Sequence, residues 1–146
     1  MHTIVHQINS NDERYEKSLG IRNEVLRKPL NLDIFKEDLS DEENQIHFII
    51  EKEDRIIGTV SLVCEYKRNT GKLRQMATIP EVRGEGYGKL LVYELEKYAK
   101  NNGMRTVILH ARHYALGFYE KLGYEVCSEP FLEVGIEHQV MQKDLF

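Results

Sequence analysis

The sequence predicts one α/β domain built around a βαβ-like unit, and three observations carry that expectation. A glycine-rich turn leads into a strongly amphipathic stretch, which is followed by the continuous apolar run "MRTVILHA", so strand, turn, helix and strand succeed one another. The segment "IHFIIEKEDRIIGTVSLVCEY" reads as two strands joined by a turn near Asp54. No linker, repeat or shift of composition divides the 146 residues, and a 41% hydrophobic content suffices for one sizeable core. The expected domain is therefore residues 1–146.

Residues 2–8 alternate as a strand, and Ser10-Asn11-Asp12-Glu13 fits a capping box that would open a helix. The inward stripe of that helix would be Tyr15, Leu19, Arg22 and Val25 or Leu26, and it should end before Pro29. Arg22 thus falls where an apolar side chain belongs. "NLDIFKEDLSDEENQ" reads as a short helix or an acidic loop, with "DEEN" exposed, and "EKED" as the turn of the hairpin. Lys72 to Ile79 forms a further strand, closed by Pro80. The central helix places Gly88, Leu91, Val92, Leu95, Tyr98 and Ala99 on one face and stops at "NNG", where glycine serves as a C-cap. After the strand "MRTVILHA", "YALGFYEKLG" gives another helix, and "YEVCSEP" and "GIEHQVMQKDL" give two final strands.

Charge excludes several classes of function. A formal net charge of −4 supplies no basic field for nucleic acid, so an anionic ligand must be captured locally. No apolar run reaches the roughly 20 residues that span a bilayer, and no apolar leader opens the sequence. Cys64 and Cys127 lack a C-x-x-C spacing, so a reduced, cytoplasmic protein is expected. His47, His110 and His113 form no metal-ligand pattern with these cysteines, and no metal is expected; His2 and His6 should be solvated.

The stretch "PEVRGEGYGKLL" carries the chemistry. Gly84, Gly86 and Gly88 between a strand and a helix let the backbone bend and leave the first helical amides uncovered, with Arg83 and Lys89 beside them. A helix N-terminus stabilises a nearby charge by roughly 0.3–1 kcal/mol, so a diphosphate suits the turn. The spacing is neither that of a Walker loop, which needs four residues between its glycines and then Lys-Ser or Lys-Thr, nor the G-x-G-x-x-G of dinucleotide folds. By itself the turn is equally compatible with a purely structural bend.

Arg83-Gly84-Glu85-Gly86-Tyr87-Gly88 resembles the R/Q-x-x-G-x-G/A motif of the GCN5-related N-acetyltransferases (GNAT), and the later "GFYEKLGYE" looks like their second signature. "KLRQMAT", "HARHYALGFYEKLGYE" and "GIEHQVM" further resemble the glyphosate N-acetyltransferase-like subgroup. The resemblance implies a GNAT fold, a central mixed, mostly antiparallel twisted sheet flanked by helices. It also implies acetyl-CoA as cosubstrate, with Met76, Ala77, Thr78, Arg83, Gly84, Glu85, Gly86, Tyr87, Gly88, Lys89 and Arg112 holding it.

Acetyl transfer to an amine needs a proton acceptor, an oxyanion donor and a proton for the leaving thiolate. His138 alternates with Val134, Ile136 and Val140 on the apolar side of a strand. An imidazole of ordinary pKa, about 6.5, could accept a proton there near neutrality; the pattern fits a core histidine bonded to a carbonyl equally well. The resemblance implies that His138 is the base, that Tyr119 supplies the proton to sulfur and that the Met76 amide holds the oxyanion. It also implies that Arg22, Arg74 and Arg112, with His138, bind the acceptor, and paired guanidinium hydrogen bonds suit carboxylate or phosphonate.

The expected activity is transfer of the acetyl group of acetyl-CoA to a primary or secondary amine of a small anionic substrate, such as an amino acid, aminophosphonate or phospho-acid, by a monomer or homodimer. Two alternatives stand beside it: a protein or peptide N-acetyltransferase of the same fold, and a non-catalytic module that binds acetyl-CoA.

Overall fold

The computed structural model describes residues 3–146, so His2 lies outside the described residues. The chain opens with β1 (Thr3–Ile8) and α1 (Tyr15–Arg22), whose path continues as a π-helical turn over Asn23–Arg27 and a 3-10 turn over Lys28–Leu30. Two strands follow, β2 (Ile46–Lys52) and β3 (Arg55–Lys67). Next come β4 (Thr70–Thr78), the central helix α2 (Tyr87–Asn101) and β5 (Thr106–Arg112). A short helix α3 (Leu116–Lys121) and the strands β6 (Glu125–Val126), β7 (Phe131–Glu133) and β8 (Ile136–Asp144) complete the chain.

All eight strands join one sheet in the order β1-β2-β3-β4-β5-β8-β6, with β7 on β8. Among the described residues only β4 and β5 run parallel, and α2 is the crossover between them. Every other pair is antiparallel, so the expected mixed, mostly antiparallel sheet flanked by helices is what forms.

The run His47-Phe48-Ile49-Ile50 is apolar or buried throughout because β2 is covered on both faces. Phe48 and Ile50 face the α2 side, where Leu91, Leu95 and Ala99 are fully buried. Ile49 faces the opposite side, against Leu19, Tyr15 and Ile34. The 3.6-residue stripe read in α2 is the stripe that is buried, and the helix ends at Asn102 and Gly103, the latter at φ 84°. The hairpin turn between β2 and β3 uses Glu53 and Asp54, both at positive φ, as a two-residue turn of the primed kind requires.

Four local expectations need correction. Ser10 forms no capping box: α1 begins at Tyr15, too late for it, and the Asp12 side chain instead accepts the Arg14 amide at 2.9 Å. The helical path does not stop before Pro29. Proline sits in the first turn of the 3-10 segment, where its missing N–H costs nothing, and the chain leaves the path at Asn31, φ 60°. A third strand, β7, lies where none was expected; Val134 and Gly135, at φ 48° and 78°, turn it back into β8. His6, expected to be solvated, is half-buried with Nε2 3.2 Å from Glu51.

Candidate active site

The ladder between β4 and β5 stops at Leu73–Leu109, although β4 continues to Thr78 and β5 to Arg112. Beyond that point the two parallel strands part. On the other side of β4 the register with β3 shifts around Gln75, which takes φ 59°. This bulge and the parting leave Arg74 to Thr78 between two hollows, with Ala77 still buried. A cleft of about 1520 Å³ runs past Ala77, Thr78 and the glycine turn. A smaller pocket of about 400 Å³ lies between the end of β5 and β8. Leu26, Met76, Tyr114, Ala115 and Phe118 line both, so the hollows meet at Met76.

In the cleft the glycines divide by task. Gly84 and Gly86 hold φ 85° and 89°, and a Cβ on either would meet no atom within 4 Å, so the turn needs glycine for its backbone shape and leaves open space above it. Gly88 has an ordinary φ, but a Cβ there would lie 3.2 Å from Cζ of Phe118; its absence lets α3 lie close to α2. Among the described residues no side chain caps α2. Arg83 and Lys89 line the cleft. Two amides of the turn ahead of the helix are in use: Arg83 N–H donates to Pro80 and Glu85 N–H to Val82, each at 3.3 Å. The Glu85 side chain turns to Lys52, 3.7 Å away, and does not line the cleft. The bare, open helix N-terminus flanked by two cations therefore fits a phosphate group, with Gly84, Gly86, Tyr87 and Lys89 as the residues that would hold it.

The smaller pocket brings Met76, Tyr119, His138, Arg74 and Arg112 together. Tyr119 is 6% exposed, and burial raises the pKa of its phenol well above the ordinary value, so it keeps its proton. His138 is 3% exposed. Its Nδ1–H donates to the Ile136 carbonyl at 2.8 Å, which turns Nε2 toward the pocket, and its ring stacks on Phe131 at 6.0 Å. The carbonyl-bonded histidine and the pocket-facing histidine are thus the same residue, satisfied through Nδ1, with Nε2 3.6 Å from Oε2 of Glu133.

The arginines do not converge as expected. Arg22 lines neither hollow; it is 1% exposed and grips Glu42, with Nη1 2.7 Å from Oε1. Glu42 belongs to "DEEN", expected to be exposed, yet it is 4% exposed and also accepts from Tyr15 Oη at 2.7 Å. Burial penalises the charge of Glu42, but the hydrogen bonds and charge of Arg22, helped by Tyr15 and His47, hold its carboxyl below the ordinary value. Burial pushes His47 down; its Nε2 faces the Glu42 carbonyl and its Nδ1 faces Ser61 Oγ at 2.6 Å. Arg22 is thus spent inside the molecule, because a guanidinium on an inward helical stripe must find a buried carboxylate. Arg74 stands between Glu42, 3.9 Å away, and the pocket. Arg112 reaches back to the Leu26 carbonyl at 3.0 Å and to Tyr114 Oη at 2.9 Å.

The pocket also contains residues the sequence did not single out: Arg27, paired with Glu37 at 2.6 Å, and Lys72, His110 and Glu133. Glu133 could have been found from the two-residue Val-Gly turn that folds its strand onto His138. Among the described residues no group of three or more His, Cys, Asp or Glu could hold a metal ion, and no helix is long and apolar enough to cross a membrane.

The fold is shared with solved acyl-CoA N-acyltransferases. The Escherichia coli protein ElaA superposes with a TM-score of 0.84 at 17% identity, covering 98% of this chain and 100% of that one. PaiA N-acetyltransferase of Thermoplasma acidophilum, solved with coenzyme A, gives 0.75 at 16% identity over 99% of each chain. The family model described as an acetyltransferase (GNAT) domain matches residues 9–145, so the chain belongs to the GNAT family of acetyltransferase enzymes. Among curated relatives, the uncharacterized N-acetyltransferase YjcF of Bacillus subtilis is 32% identical, covering 94% of this chain and 97% of its own length. Two others from that organism match over less of themselves: YyaT is 34% identical over 66% of its length, and acetyltransferase BSU40680 is 43% identical over 51%.

Proposed function

We propose that the protein transfers the acetyl group of acetyl-CoA to the amine of a small anionic acceptor by direct attack in a ternary complex. The observation that carries this reading is the meeting of the two hollows at Met76: one is long and ends at a bare helix N-terminus, the other is short and lined by Tyr119, His138 and three arginines. Acetyl-CoA supplies the thioester; Gly84, Gly86, Tyr87 and Lys89 hold its diphosphate, and Ala77 and Thr78 line its path along β4.

His138 accepts a proton from the acceptor's ammonium at Nε2 as the nitrogen forms its bond to the acetyl carbon, and the fixed Nδ1–H keeps that lone pair aimed at the pocket. The Met76 amide, on the parted stretch of β4, stabilises the charge that builds on the acetyl oxygen. Tyr119, held protonated by burial, gives its proton to the departing sulfur. Arg74 and Arg112 face the acceptor's anionic group, which supports the likeness to glyphosate N-acetyltransferase-like proteins. Arg22 is withdrawn from that role by Glu42.

Thiol release measured against amino acids, aminophosphonates and uncharged amines tests the reading. Turnover should require an anionic group on the acceptor, and His138→Ala should lower kcat by about 10²–10⁴-fold while acetyl-CoA still binds. Undiminished kcat in that variant would remove His138 as base, and acetyl-CoA binding without thiol release from any amine would favour a binding module instead.

A further inference from the structure

Glu133 closes the outer side of the acceptor pocket, and nothing in the reaction above uses it. Its side chain stands at the mouth, 46% exposed, on the last residue of β7, where the Val134-Gly135 turn folds β7 onto β8 and pairs Glu133 with Ile136. One carboxylate oxygen is fixed by His110, whose Nδ1 lies 2.9 Å from Oε1. The other, Oε2, faces Nε2 of His138 at 3.6 Å. His110 itself is held edge-on to Phe131, with ring centroids 5.2 Å apart.

That second contact is chemically incomplete. The Nδ1–H of His138 is spent on the Ile136 carbonyl, so Nε2 of the neutral ring carries a lone pair, and it is aimed at an oxygen that also carries lone pairs. The separation is too long for a hydrogen bond, and a neutral ring offers no proton at that nitrogen. Two acceptors side by side on a pocket wall, 3.6 Å apart, are satisfied together by a single group with at least two N–H donors, and an ammonium is such a group. The charge of Glu133 is maintained: burial opposes it, but the hydrogen bond and charge of His110, with the charge of Lys72, hold the carboxyl below its ordinary value. Arg74 and Arg112 line the same pocket. An acceptor of one sign would meet repulsion at one end.

We propose that Glu133, with Nε2 of His138, is the seat for the acceptor's ammonium, so that the pocket selects a zwitterion whose anionic end faces Arg74 and Arg112. This rests on the acetyl-acceptor reading of the pocket given above. Glu133 binds the amine before deprotonation and keeps one N–H while His138 takes another as its proton. The carboxylate thereby sets which nitrogen of an acceptor is delivered to the thioester.

The test compares the wild-type protein with Glu133→Gln and Glu133→Asp in thiol-release assays on four amines: aminomethylphosphonate, glycine, ethanolamine and putrescine. Methylphosphonate, which lacks the amine, serves as a competitive inhibitor. Wild-type protein should turn over the two zwitterions in preference to the two plain amines. Glu133→Gln should raise the acceptor KM at least tenfold and leave the KM for acetyl-CoA and the inhibition constant of methylphosphonate unchanged, while Glu133→Asp should recover part of the loss. A wild-type acceptor KM in Glu133→Gln would overturn the proposal, and so would methylphosphonate inhibition weakened as much as the acceptor KM, since that is the mark of a pocket merely misshapen. Turnover confined to ethanolamine and putrescine, with the tenfold effect kept, would sink the anionic-acceptor reading and leave the ammonium seat standing.

Discussion

Arg22 is the residue whose role the structure changes most. Its guanidinium is sealed under α1 with Glu42, and Nε has no hydrogen-bond partner among the described residues. Removing one member of such a pair leaves a buried charge alone, which typically costs about 3–5 kcal/mol. Arg22→Ala is therefore expected to lower unfolding stability by about that amount in a denaturant titration, and Glu42→Ala to do the same. Arg22→Ala with wild-type stability and only a raised acceptor KM would return Arg22 to the pocket. Arg74 behaves differently, because it is partly exposed, lines the pocket and stands 3.9 Å from Glu42: Arg74→Ala should raise the KM of an anionic acceptor more than it lowers stability. The presence of an arginine on the stripe was legible in the sequence. Its partner was not, since Glu42 is 20 residues away in a run that reads as a solvated acidic loop.

At the level of elements, the glycine turn and the head of α2 decide what the cleft can hold. Gly86 sits at φ 89°, where an L side chain is strained by roughly 1–2 kcal/mol. Gly86→Val should weaken acetyl-CoA binding, measured by calorimetry, more than it lowers stability, because the open side of the turn faces the cleft. Gly88→Val acts elsewhere. Its side chain meets Phe118, so its primary effect should be a loss of stability as α3 is pushed from α2. Three evenly spaced glycines look equivalent in a sequence; only the placement of α3 tells the backbone pair from the packing one. Likewise α2 was legible from its periodicity, whereas the start of α1 was not, since a capping pattern competes with an Asx turn at Asp12 that sequence alone weighs equally.

For the whole molecule, the buried network joining α1 to β2, β3 and β4 makes stability depend on acid. Burial lowers His47 below its ordinary 6.5, so its contribution is complete above that pH and is lost as pH falls through the folded value. Glu42 is held below its ordinary 4.5, so its contribution is complete above pH 4.5 and is lost on further acidification. Tm followed by circular dichroism should decline below pH 6.5 and more steeply below 4.5, and His47→Gln should flatten the first part of the curve. A flat Tm from pH 7 to 4 would contradict the network.

The sequence by itself determined what is written in nearest neighbours: the amphipathic period of α2, the hairpin of β2 and β3, the glycine turn at φ-permissive positions, and a histidine on the inner side of β8. These follow from backbone sterics and from the repeat of each element, which need no distant partner. The tertiary structure alone decided which charges are consumed and which are offered. Arg22 meets Glu42 across 20 residues and Glu133 meets His110 across 23, and an ionised group finds its pKa and its task only where the fold removes water from around it.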